Sequence, residues 1–364
     1  MTHRIVAMGG AFLLIAACNA SAAGHVRVSL SARPAALVAG RAWTAPLTLR
    51  PRSFAGAVRV TATGPARLDV RASGGRGAYR ARIVFPAAGR WTLVARAGGS
   101  VSRLGSVVVR EPAPKPLIFT WPTSIDLQPD GSLLVVENGI GRVDRVQPST
   151  GKLSVVASGL AKPYSVASAP GGAIYLSNGG ALQRIDGAAP VTVASASSDV
   201  GPIAVAPNGD VVYTTESQAL DLSGGKPRVL ASGLSNPHGI AVEADGAVLV
   251  CDTGADRILR IDPASGATTT LVHVAQPRGI DVAGDGSLYV VEAGGKRVGH
   301  YSATGARLGD VGPLFNDPYG VQVAADGTVY VIETAVTGTI KRIAPDGSVS
   351  TLSVPPATSR SHNP

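Results

Sequence analysis

Aromatic rings are scarce in this chain, at 4% of 364 residues, and there are only two cysteines, Cys18 and Cys251. Two thiols cannot build a disulfide scaffold. No run of 18 apolar residues occurs, so no transmembrane helix is expected. Ala- and Leu-rich amphipathic segments are missing too, which excludes the common helical repeats. Glycine and proline are abundant, at 45 and 26 residues. They lack the Gly-X-Y period, so collagen is excluded, and a hydrophobic fraction of 45% excludes wholesale disorder. Frequent Val and Thr between Gly and Pro point to many short strands joined by turns.

Residues 1–24 read as a secretory signal. Arg4 supplies the positive start, and Met8 to Ala17 is an apolar run too short for a permanent membrane span. Ile15-Ala16-Ala17-Cys18 resembles a bacterial lipobox, which would leave Cys18 lipid-modified as a membrane anchor. Ala20-Ser21-Ala22 fits ordinary signal peptidase. The first is favoured, because it gives Cys18 a purpose. In both cases the mature protein is exported. Cys251, within Ala-Val-Leu-Val-Cys-Asp, reads as a small buried hydrophobe.

A repeat dominates the rest. An apolar residue stands six before a glycine at Ile125, Val166, Ile203, Ile240, Ile280 and Val321, in steps of 41, 37, 37, 40 and 41 residues. Five copies carry a proline three residues before it: Pro122, Pro163, Pro237, Pro277 and Pro318. Each unit reads as four strands, the first two joined by Asp-Gly, Gly-Gly or Asn-Gly, dipeptides suited to tight hairpins in which both central residues take positive φ. Six four-stranded units predict an all-β fold, a six-bladed β-propeller over 117–354. Leu117 to Thr120 is expected to help close the ring. Before it, residues 25–112 hold eight strand-like runs, a small β-sandwich. Residues 113–116 end a stiff Pro-rich linker that begins near Arg110, and 355–364 form a loose tail.

The unit Pro-x-Gly-Ile-x-Val-(x)3-Gly-x-Leu-Tyr-Val-x-Glu/Asp resembles NHL-repeat propellers and the wider group with virginiamycin B lyase, amidating lyases and gluconolactonase-type enzymes. Gly77-Ala78-Tyr79-Arg80 and Phe85 to Leu93 resemble YtkA-like immunoglobulin-type domains.

An antiparallel hairpin returns to its starting end. The residue after each repeat proline and the last residue of each second strand therefore belong at one mouth of the ring. The first class is Thr123, Tyr164, Gly201, His238, Arg278 and Tyr319; the second is Glu137, Asn178, Thr215, Asp252, Glu292 and Glu333. His238 is the candidate general acid or base. Arg278 would hold an anionic or carbonyl oxygen, and Tyr164 or Tyr319 would donate a proton or orient substrate. Thr123, Glu137, Asn178, Asp252, Glu292 and Glu333 are candidate ligand-binding residues. The resemblance implies a catalytic or ligating role at His238. It also implies oxygen ligands for a divalent ion, which Asn178 with Glu137, Glu292 or Glu333 could imitate for Ca²⁺ or Mg²⁺. The acidic positions equally suit loop ties.

Three functions follow: an envelope-anchored propeller binding a small ligand, carbohydrate or protein segment at its mouth; a lyase or lactone hydrolase there; or an assembly protein. The net charge of +9 is split unevenly. Residues 25–112 hold 15 arginines against Asp69 and Glu111, while 117–364 hold 16 basic and 22 acidic residues. The export signal argues against nucleic acid as partner. A cationic sandwich is instead expected to face an anionic membrane or wall surface.

Overall fold

The computed structural model describes residues 25–34, 36–186 and 189–354. The expected signal segment with Cys18, and the expected tail from Pro355, lie outside the described residues. The chain divides into two compact units, the first ending at Ala113 and the second running from Pro114 to Pro355. Among the described residues no helix is long and apolar enough to cross a membrane.

The first unit holds β1 (Arg27–Leu30), β2 (Leu37–Val38), β3 (Ala42–Arg50), β4 (Val58–Thr63), β5 (Arg67–Gly75), β6 (Ala78–Val84), β7 (Gly89–Ala97) and β8 (Ser100–Arg110). They are hydrogen-bonded in the order β1-β3-β6-β5-β4-β7-β8-β2. The long β5 belongs to both halves of this sheet, which fold over one core. Sequence alternation dictates that core: in Ala78–Val84, Tyr79, Ala81 and Ile83 are buried while Arg80 and Arg82 are exposed. Leu47, Phe85, Trp91 and Leu93 fill it, and the Trp91 indole N–H donates to the Ala87 carbonyl at 3.1 Å.

The second unit is the six-bladed propeller. Its four-stranded antiparallel sheets span Pro122–Ser158, Pro163–Ser195, Ile203–Ser232, Gly239–His273, Pro277–Val311 and Pro318–Thr351. The inner hairpins are tight, but not of the expected kind. Only the glycine takes positive φ, +89° at Gly246, and the aspartate is not among the positive-φ residues. Its carboxylate instead accepts the N–H two residues on, at 2.9 Å for Asp130, Asp245, Asp285 and Asp326. This Asx-type bond fixes the turn without left-handed strain at the acid.

Ring closure uses no exchanged strand, since every blade is complete in sequence order. The chain before blade 1 is laid against blade 6 instead. Lys115–Pro116 pairs with Ser353–Val354, Leu117 N–H donates to Leu352, and Phe119 forms a bridge with Gly338. Phe119 is fully buried among Ile125, Leu133, Tyr330, Ile332 and Ile340. The last two residues of the expected linker are thus part of the propeller's clasp.

Candidate functional site

The residue after each repeat proline sits where the innermost strand meets the mouth. In blades 1, 2, 5 and 6 the register shifts just after that proline. A bulge re-aims a side chain, and here it turns Tyr164 and Tyr319 toward one another across the ring. Their hydroxyls are 2.7 Å apart and their rings meet edge to face at 6.3 Å. The His238 ring lies 5.9 Å from Tyr319 and 6.4 Å from Tyr164. Arg278 stands over the Tyr319 ring at 5.2 Å and pairs with Asp317 at 2.9 Å. The glycines of the Pro-x-Gly motif allow this crowding: a Cβ on Gly239 would lie 2.1 Å from the Arg278 carbonyl oxygen.

The three rings form a plug. Burial raises the Tyr164 hydroxyl well above its ordinary pKa, with Tyr319 adding to the shift, and burial raises Tyr319 as well. Both stay protonated and can donate. Burial, then the Arg278 charge, lowers His238, so its imidazole is neutral at neutral pH. Its Nδ1 is buried without a hydrogen-bond partner.

Two spaces meet at this plug. One is a channel of about 200 Å³ between the inner strands. The other is a recess of about 630 Å³ on the mouth face over blades 2 to 4, lined by Tyr164, His238, Lys162, Asp199, Asn138 and Glu216 among others. Gly201 also lines it. Blade 3 has no side chain where its neighbours carry Tyr164 and His238, and that omission leaves room for the recess. Lys162 and Asp199 form a rim ion pair at 3.5 Å, both about two-thirds exposed (69% and 67%) and so strongly screened.

The two expected classes share one end of the ring, but of the second class only Thr215 lines the recess with Tyr164, Gly201 and His238. Thr123 donates to the Tyr164 carbonyl at 2.7 Å and serves as an inter-blade tie. Glu137 accepts from Thr120 N–H and Arg142, each at 2.7 Å; Asp252 accepts from Ser235 N–H at 2.6 Å and Arg257 at 2.8 Å. Glu333 takes Asn316 N–H at 2.8 Å and Asn178 takes Lys162 N–H at 2.8 Å. Glu292 is held by Arg297 at 2.8 Å and Tyr301 at 2.7 Å. Glu137, Asn178, Asp252 and Glu333 thus fasten the loop that enters the inner strand, while Glu292 is held by side chains of the outer strands of its own blade. The next residue lines the recess: Asn138 follows Glu137 and Gly179 follows Asn178, while in blade 3 both Thr215 and Glu216 line it. A one-residue offset along the chain, where the strand gives way to the turn, decides this. Among the described residues no group of three or more His, Cys, Asp or Glu side chains is placed to hold a metal ion. The arrangement does not fit the expected Ca²⁺ or Mg²⁺ site, and no step below runs through one.

Sequence reasoning missed Lys162, Asp199, Asn138 and Glu216, and a polar layer deeper in the channel. Asp126 and Asp281 occupy one repeat position, three residues beyond the plug, where blades 2 to 4 carry Ala167, Ala204 and Ala241. Asp126 accepts from Ser168 at 2.7 Å and Gln128 at 2.5 Å, and Asp281 accepts the Val323 N–H at 2.7 Å. Enclosure pushes the Asp126 carboxyl up to about 6, and enclosure with the Asp126 charge pushes Asp281 up to about 7. The signal was present as two acids and Gln322 among three alanines at one apolar-flanked repeat position. Cys251 is fully buried and outside both spaces, and burial raises its thiol.

No family model matches the chain, and no curated protein matches it. Solved structures do. A catalytically inactive histidine-to-alanine variant of virginiamycin B lyase from Staphylococcus aureus, with quinupristin, aligns over 66% of this chain and 88% of its own at 18% identity, TM-score 0.52. A gluconolactonase from Xanthomonas campestris aligns over 64% and 86% at 17% identity, TM-score 0.54. A protein of unknown function from Bacteroides thetaiotaomicron aligns over 87% and 97% at 13% identity, TM-score 0.54. At such identities the likeness shows the fold alone.

Proposed function

We propose that the propeller binds a small molecule, such as a sugar or a short peptide segment, in the recess over His238. The observation that carries this reading is the recess itself, lined by Tyr164 and His238, with Tyr164 fixed by its 2.7 Å bond to Tyr319. A cup of about 630 Å³ with a few convergent polar groups has the dimensions of a ligand site. The Asn138 side-chain oxygen and Glu216 would accept hydrogen bonds, the Asn138 amide nitrogen being held by the Pro163 carbonyl at 2.8 Å, and the His238 and Tyr164 rings would supply an apolar base.

A second reading, a lyase or lactone hydrolase at the same place, is favoured by His238 itself. Its neutral imidazole, which lines the recess, suits proton abstraction, and the protonated tyrosines beside it suit donation to a developing oxyanion. The neighbours named lyase and gluconolactonase are consistent with this chemistry without assigning it. The test is a thermal-shift screen of lactones, sugars and small peptides, followed by product analysis of each hit. Ligands raise the wild-type midpoint by mass action and leave His238→Ala unshifted. Turnover lost in His238→Ala marks the enzyme. Equal shifts in both proteins place the ligand elsewhere and overturn the site.

Export with a lipid anchor on Cys18 belongs to the same proposal, supported by the Ile15–Cys18 sequence; fatty-acid labelling abolished by Cys18→Ala tests it. The first unit reads as immunoglobulin-type. Its strand order places the first, third, sixth and fifth strands in one half and the fourth, seventh and eighth in the other, the partition of that fold.

A further inference from the structure

We propose that the outward face of β5, β4, β7 and β8 binds a linear acidic polysaccharide. Strand alternation sends Arg67 and Arg71 of β5, Arg59 of β4, Arg90 and Arg96 of β7, and Arg103 of β8 to solvent, while Val60, Ala62, Leu93 and Ala95 turn to the core. The register then aligns them. Arg59 lies directly opposite Arg71 on one side and Arg96 on the other. Three guanidinium-bearing residues therefore cross three adjacent strands in one row, at the strand spacing of about 4.8 Å.

Like charges directly opposite one another destabilise a sheet, and on this face a single carboxylate, within electrostatic reach of Arg67 and Arg96, is set against six arginines. The one carboxylate, Asp69, already accepts from Thr61 at 2.5 Å and Arg67 at 3.4 Å. Arg96 donates to Thr61 at 2.9 Å. Among the described residues Arg59, Arg71, Arg90 and Arg103 have no ion-pair partner. Residues 25–112 use 15 arginines and no lysine, and the planar guanidinium fork is the side chain that grips carboxylate and sulfate oxygens bidentately.

The form of the face selects the occupant. No aromatic ring of this unit is exposed among the described residues. Stacking platforms for single-stranded nucleic acid and the aromatic belt of a bilayer interface are therefore both lacking. One row of three aligned cations across three strands, with Arg67, Arg90 and Arg103 around it, suits an extended polymer that bears an acidic group on each sugar and lies across the strands.

The test uses the full chain from residue 25 in near-physiological salt, about 0.15 M. Oligogalacturonate is the probe, with neutral maltooligosaccharide, short duplex DNA and phosphatidylglycerol vesicles as comparators. Oligogalacturonate is expected to bind in preference to the others. Arg59→Gln/Arg71→Gln/Arg96→Gln is expected to weaken it about tenfold, with the thermal midpoint unchanged or raised as repulsion is relieved. Arg27→Gln/Arg50→Gln/Arg80→Gln, which removes the same charge from the other half of the fold, is expected to leave affinity within about twofold. Equal weakening by the two triple variants, tighter binding of DNA or vesicles than of oligogalacturonate, or no binding of oligogalacturonate would each overturn the proposal.

Discussion

The plug can be tested by removing its hydroxyls one at a time. Tyr164→Phe keeps the edge-to-face ring contact with Tyr319 and deletes one partner of the 2.7 Å bond. The Tyr319 hydroxyl is then left in a site where burial already keeps it protonated, and an orphaned buried hydroxyl costs about 1–3 kcal/mol. Tyr319→Phe should cost a similar amount by the same argument. The double variant removes both polar groups together and leaves no orphan, so its loss should stay near 1 kcal/mol and fall well short of the sum. For a unit of this size 1 kcal/mol moves the midpoint by about 2–4 °C. The measurement is calorimetry on the full chain, reading the propeller transition in all four proteins. Additive losses would mean that the hydroxyls do not depend on one another, and the plug as a coupled pair would be refuted.

Three further outcomes follow from the same geometry. Gly201→Leu should abolish ligand-induced stabilisation by filling the recess, and should lower stability by about 1–3 kcal/mol, because its Cβ would lie 2.6 Å from Thr214 Oγ1; retained binding in a folded variant would refute the role given to blade 3. Fully buried Asp144 lies beside Glu137, and burial reinforced by that carboxylate pushes it up to about 7. With Asp126 and Asp281 also raised, the folded state holds protons that the unfolded chain releases above about pH 4, so their contribution to stability falls as pH rises toward about 7. Asp144→Asn should flatten that part of the pH profile in urea titrations, and an unchanged slope would exclude it. His238, lowered by burial and Arg278, has the opposite sign: its contribution is full above its unfolded pKa near 6.5 and declines as pH falls through that value toward its lower folded one, a decline that His238→Gln should remove.

The propeller was legible because its cause is periodic. A proline, an apolar residue and a turn glycine at a recurring spacing reflect four strands that cannot bury their faces alone, and stacking them radially is the solution. Closure was less legible. Lys115 and Pro116 look like linker residues by composition, and only pairing with Ser353 and Val354 makes them a clasp. The acidic second-strand ends show the limit of a positional argument. Sequence placed Glu137, Asp252 and Glu333 at the mouth, but not the direction in which each carboxylate turns, which the arginine or lysine on the adjoining strand settles.

Sequence by itself therefore determined what depends on local pattern: six blades, the alternation that sends arginines outward from β4, β5 and β7, and the ring position shared by Tyr164, His238 and Tyr319. The tertiary structure decided what depends on distance between residues far apart in the chain. It set Tyr164 against Tyr319 across 155 positions, opened a recess where Gly201 leaves space, and aligned Arg71, Arg59 and Arg96 in one row. Periodicity specifies which face a side chain takes. Only closure of the ring and the register between strands specify which other side chain it meets there.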